Sequence, residues 1–359
     1  MIRLSRKGEH KLESYVPPSA DTGHRIVTFI IRTPTFVLGM ALAASCWLLP
    51  ATVARAEAPS GECRSTRYHV VELPFTPSII ASSGVVAGTT ELHRAVLWRR
   101  KSGLQELSVP DGFHFTEPAA IMESGDVVIN ALDAEARKHR AFIYSHRSVI
   151  ALVGNQTWAH GIGPSSMIVG EWLPDAKTRS DPVYWNNNVP QSIGLCCGGT
   201  IKAVNKMGDM IGDAYDDQGR YHAFTWNPSN GKRIIGPSDR YSSAVAINDA
   251  GHILLQAGRD AYLDDTGNLR RLDLSSKYYN RPQAMNNCDF VVGGYGPNSD
   301  KYRAFLWNAT AGFQDLNSLI PRDSGWTLKS ATAINDRGEI VGRGEIHHDD
   351  RGFLLIPQR

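Results

Sequence analysis

No stretch of the 359-residue chain holds the ~20 uninterrupted apolar residues that a membrane-spanning helix needs. The longest apolar run, from about Thr35 to Leu49, falls short of that length and stops at Pro50. It follows Arg25 and Arg32 and precedes Ala54-Arg55-Ala56, the basic, apolar and small-x-small order of a cleaved secretory signal. Residues 1–56 are therefore read as a signal peptide, 57–67 as a linker and 68–359 as a single domain. An excess of one charge is also missing. Taking the seven basic and three acidic residues of the leader from the chain's 38 and 36 leaves 31 and 33, a net charge of −2. That gives no basic field for a nucleic acid.

Cysteine is sparse, and beyond the leader only Cys63, Cys196, Cys197 and Cys288 remain. In an oxidising compartment they allow two disulfides in three pairings. No C-x-x-C is present, which argues against a metal or redox centre. The chain also lacks G-x-S-x-G, H-E-x-x-H, a Gly-rich phosphate loop and a D-x-[DN]-x-[DN]-G calcium loop. No catalytic residue, metal or cofactor is assigned.

What the chain has is a repeat. Residues 246–251 (AINDAG), 333–338 (AINDRG) and 203–208 (AVNKMG) are near copies, and weaker ones lie at 284–289, 120–125, 79–84 and 161–166. Equivalent positions are Ala81, Met122, Gly163, Asn205, Asn248, Asn286 and Asn335, spaced by 41, 41, 42, 43, 38 and 49 residues. Asn at the first and Gly at the fourth position of a turn suits a type I geometry. Each turn leads into a β-branched run such as Met210-Ile-Gly212, then a run such as Ala223-Phe-Thr-Trp226, then a polar turn and a short strand. This spacing predicts four antiparallel strands per unit. The continuously apolar Ala-Phe-Leu-Trp run, where alternation would be usual, fits a sheet covered on both faces.

Four-stranded repeats of this length predict a seven-bladed β-propeller. The seventh unit runs out after three strands, and an orphan strand, residues 68–73, precedes the first. The orphan is expected to complete the last blade and close the ring, which removes free edges.

The A-x-x-I-N-D-x-G, I-V-G and His222-Ala-Phe224 elements together resemble the HAF-repeat family of predicted extracellular proteins, over about residues 68–357. The resemblance implies export and a repeat fold, and carries no catalytic residue.

With the first strand of each unit innermost, the Asn turns share one face. The inter-unit links and the links between second and third strands share the other. The second face carries Phe113, Phe115, Trp158, Trp172, Tyr215, Tyr241, Tyr278, Tyr279 and Trp326 beside Asp216, Asp217 and His347. Aromatic area next to acids suits a glycan or protein ligand. The expected function is thus a secreted, periplasmic or cell-surface binding scaffold. It would be monomeric, with no membrane span after cleavage and no nucleic-acid partner. The alternative is an extracellular hydrolase or lyase with its site at the channel mouth. The same path puts Cys63 and Cys288 on one face in neighbouring blades, so they are the expected disulfide, with Cys196 and Cys197 vicinally bonded or free.

Overall fold

The computed structural model describes residues 67–358, except 123, 136–137, 147, 175–179, 196–197, 217, 276 and 299–300. Seven separate four-stranded antiparallel sheets follow one another along the chain. The innermost strands are Thr76–Ile80, Phe115–Ile121, Thr157–Ile162, Gly199–Val204, Ser243–Ile247, Tyr279–Met285 and Trp326–Ile334. Six blades use consecutive strands. In the seventh, strand Tyr68–Leu73 pairs antiparallel with Asp349–Pro357, with Tyr68 opposite Pro357 and Leu73 opposite Gly352. The N-terminal strand thus closes the ring as the seventh blade's outermost strand. Residues 1–66 lie outside the described residues, and so do the leader and most of the linker. Asp217, Cys63, Cys196 and Cys197 are outside them too.

The core is distributed between blades. Each of seven apolar clusters joins one pair of neighbours: Val128, Ala141 and Leu152 of blade two meet Ile168, Val183 and Trp185 of blade three, and Leu354 of blade seven meets Val86 and Val96 of blade one. This explains why second strands such as Val291–Gly296 are buried throughout, while outermost strands such as Asn268–Arg271 are mostly exposed.

The repeated turn forms as its composition demands. Gly208 N–H donates to Asn205 O at 3.1 Å, and Gly208 sits at φ +87°. The glycine of the I-V-G run has a different cause. A Cβ on Gly212 would collide with the carbonyl oxygen of Thr200 and with the Phe224 ring, and Gly293 and Gly342 face the same obstacle with Phe305 and Phe353. The Phe of the Ala-Phe run therefore fills space that the glycine vacates.

Blade five, which lacks the Trp of the repeat, compensates. In blade six Arg270 of the preceding blade lies 5.5 Å over Trp307. At the equivalent position buried Asp264 pairs with Arg233 of the preceding blade at 3.2 Å. The cation stays, and a carboxylate replaces the ring.

Candidate functional site: the axial mouth

Every innermost strand ends in the repeated turn, which has Asn at its first position in blades four to seven, and the seven turns surround a cavity of about 850 Å³. Its collar is aliphatic: Ile80, Ile121, Ile162, Val204, Ile247, Met285 and Ile334, the residues just before each turn, all line it. The rim outside the collar is polar, with Ser82, Ser165, Lys206, Asp249, Asn287 and Asp336 among its residues. An apolar interior under a hydrogen-bonding rim is the usual build of a ligand site.

The rim is stitched along four blades. Asn205 Nδ2 donates to Asn248 O at 3.1 Å, Asn286 Nδ2 to Asn335 O at 3.1 Å and Asn335 Nδ2 to Ala81 O at 3.1 Å, each in the next blade. Asn248 Nδ2 reaches Asp289 of the next blade instead, at 2.8 Å. Beside these bonds runs a second chain: Lys206 N donates to Asp249, Asp249 N to Asn287 and Asn287 N to Asp336, at 2.8–3.0 Å. Asn287 Nδ2 also bridges the carboxylates of Asp249 and Asp336 at 2.8 and 2.9 Å. At the closure Glu339 takes hydrogen bonds from Asn335 and Arg337 and pairs with Arg100 of blade one. Blades one to three have Ser82, Ser83, Ser124, Ser165 and Ser166 in this region of the mouth.

Of the residues expected to bind, the described ones lie on the opposite face, and most of the aromatic ones pack against a ring nearby. Phe113 meets Phe142 edge-on at 5.2 Å, Phe115 meets His93 at 6.0 Å and Trp158 meets His139 at 5.8 Å. Tyr215 packs on Tyr221 at 5.1 Å, Tyr278 on Tyr295 at 6.2 Å and Trp326 on Phe353 at 6.2 Å. Trp172 covers Gly154, and Tyr279 Oη accepts from Gln256 at 3.1 Å. Phe115, Tyr215 and Tyr279 still expose 40–45% of their surface and Tyr241 66%. Asp216 closes its own turn, accepting from Gln218 N and Arg220 N at 2.9 and 2.8 Å. His347 and His348 form the turn of an outer hairpin in blade seven, at φ +53° and +71°. Asp216 belongs to the corresponding link of blade four. No cluster of three or more metal-ligating side chains occurs among the described residues.

One feature escaped the sequence. Every innermost strand has a β-bulge three residues before the turn position, at Ser78, Ala119, His160, Lys202, Val245, Gln283 and Thr332. A bulge re-aims its side chain, and several of these reach the next blade. Lys202 pairs with Asp213 and donates to Ser243 of blade five at 2.7 Å. Gln283 donates to Ser330 of blade seven at 2.7 Å, and Thr332 to Pro77 O of blade one at 3.1 Å. The bulge residues share no chemistry, so nothing in the sequence marks them as equivalent.

At the blade three bulge, His160 Nε2 lies 3.3 Å from Glu171 and 3.5 Å from Thr200 of blade four. His160 bonding is the main reason that the Glu171 carboxyl sits below its ordinary range. Burial lowers the His139 imidazole. Burial, aided by Asp213, Tyr215 and Glu171, pushes the Tyr221 phenol up to about 12. Both contacts of His160 use the same ring nitrogen, so His160 cannot relay a proton from Thr200 to Glu171 as a catalytic triad requires.

No protein-family model and no curated protein sequence matches the chain. Solved structures do. Virginiamycin B lyase from Staphylococcus aureus superimposes with a TM-score of 0.54 at 12% identity, over 80% of this chain and 99% of that one. YCF48 bound to D1 peptide gives 0.51 at 8% identity, over 82% and 96%. A prolyl endopeptidase gives 0.51 at 11% identity, over 82% of this chain and 51% of its own. The shared feature is the propeller. At such identities that likeness concerns the fold alone, because one propeller architecture carries both binding proteins and enzymes.

Proposed function

We propose that the protein is exported and acts as a non-enzymatic binding scaffold, with a glycan or protein ligand seated in the axial mouth. The observation that carries this reading is the cavity itself: all seven blades contribute an aliphatic collar under a polar rim. Resemblance to the HAF-repeat family supports export, as does the order of residues in the leader. The Cys63–Cys288 pairing belongs to the same proposal and is supported by the oxidised state of Cys288.

A second reading puts the ligand on the loop face, and the half-exposed rings of Phe115, Tyr215, Tyr241 and Tyr279 favour it. The test uses glycan arrays and pull-down from the secreted proteome, with three forms of the mature protein. These are the wild type, a mouth-filling Val204→Phe/Ile247→Phe variant and a loop-face Tyr241→Ala/Tyr279→Ala variant. Ligands retained by wild type should be lost by the first variant and kept by the second. The reverse pattern moves the site to the loop face.

A further inference from the structure

Resting on the axial-mouth reading, we infer that the occupant is an extended polypeptide segment that inserts aliphatic side chains into the collar and runs along the arc of blades one to three. The first argument is chemical. Among the described residues no aromatic ring lines the cavity. Sugars present weakly apolar C–H faces that gain most from flat aromatic surfaces, whereas Leu, Ile or Val side chains gain by burial among other aliphatic groups. A collar of five Ile or Val residues beyond Met285 and Ile334 offers such burial and no stacking surface.

The second argument is the uneven saturation of the rim. Along blades four to seven the Asn and Asp groups are engaged with one another across blade boundaries. On the other arc, Ser82, Ser83, Ser165 and Ser166 are exposed, and their hydroxyls have no hydrogen-bond partner among the described residues. A hydroxyl donates and accepts, which matches the alternating N–H and C=O groups of an extended chain. The stitched arc is bonded to itself, whereas on the other arc the serine hydroxyls of blades one and three are left free to bond and Ser124 of blade two is engaged with Asp126.

The third argument is placement. Ser165 and Ser166 lie at φ +51° and +60° in the turn of blade three, and Ser166 takes the fourth turn position, where Gly84, Gly208, Gly251 and Gly338 also have positive φ. The turn itself calls for this backbone. Here it holds two side chains at the cavity edge directly after Pro164, which also lines the cavity.

The experiment displays random linear octapeptides and, in parallel, a panel of oligosaccharides to the mature protein. Recovered peptides should be enriched in Leu, Ile and Val at alternate positions. A synthetic octapeptide Gly-Ser-Leu-Ser-Leu-Ser-Gly-Ser should bind at least about tenfold more tightly than its Asp-for-Leu counterpart, because a charge cannot enter the collar without a partner. Ser165→Gly/Ser166→Gly, which removes both hydroxyls and relaxes the backbone, should weaken the Leu peptide while the fold, followed by near-UV circular dichroism, is kept. Absence of aliphatic enrichment, or equal or no binding of the two octapeptides, overturns the inference. Oligosaccharide binding that the Val204→Phe/Ile247→Phe variant abolishes would overturn it while leaving the mouth as the site. Peptide binding that survives filling of the mouth would overturn both.

Discussion

The side-chain amide of Asn205 donates to the backbone carbonyl of Asn248, 3.1 Å away in the next blade, while its own oxygen accepts from Met207 N and Asp209 N at 3.0 and 2.9 Å. One buried side chain thus closes its turn and fastens two blades. Asn205→Ala strands two amides and a carbonyl, and should cost about 2–4 kcal/mol. Urea denaturation checks this against Asn230→Ala, an exposed turn position expected to shift stability by less than about 0.5 kcal/mol. Equal effects would mean that the inter-blade bond contributes nothing.

Gly212 is required by close approach, since any Cβ meets Thr200 O and the Phe224 ring. Gly212→Ala should destabilise by about 3 kcal/mol, as overpacking against backbone does. Gly231 also resists substitution, but only through its φ of +66° with open space around it. Gly231→Ala should cost about 1 kcal/mol. Thermal unfolding of the two variants separates steric from conformational causes.

Strand Tyr68–Leu73 covers the edge of Asp349–Pro357, and both Tyr68 and Leu73 are fully buried. A chain starting at Pro74 exposes that edge and opens the core between blades six and seven. Size-exclusion chromatography should show aggregation or higher oligomers, and thermal unfolding should lose cooperativity. A monomer with unchanged melting temperature would show that closure adds no stability.

Glu171 owes its lowered pKa chiefly to His160. A carboxyl whose folded pKa is depressed contributes stability above its unfolded pKa, and that contribution is lost as pH falls through the folded value. Glu171→Gln should therefore lower the melting temperature at pH 7, by an amount equivalent to about 1 kcal/mol. The difference should vanish once the pH is well below the ordinary carboxylate range. A difference independent of pH would mean that the pair is not ionic.

The fold was legible because turn chemistry repeats: Asn at the first position and Gly at the fourth recur at near-constant spacing, and three strands at one end match one at the other. Even the degraded fifth unit keeps its place, because Asp264 answers Arg233 where Trp307 answers Arg270. The mouth was not legible. Asn205, Asn248, Asn286 and Asn335 account for themselves as turn residues, and the sequence cannot say that seven such turns ring one cavity or that their amides reach the next blade. The attention that aromatic residues drew to the loop face has a physical reason as well. Large rings stand out in a sequence whether they meet a ligand or, as Phe113 and Trp326 do, another ring of the protein.

A photo-reactive side chain at position 165, compared with one at position 241, tests the central claim most directly. Both proteins would be irradiated with the same octapeptide library and oligosaccharide panel, and adducts would be located by mass spectrometry. Binding in the axial mouth predicts adducts at position 165 that the Val204→Phe/Ile247→Phe background suppresses, and few at position 241. Adducts confined to position 241, or insensitive to filling of the mouth, would contradict it.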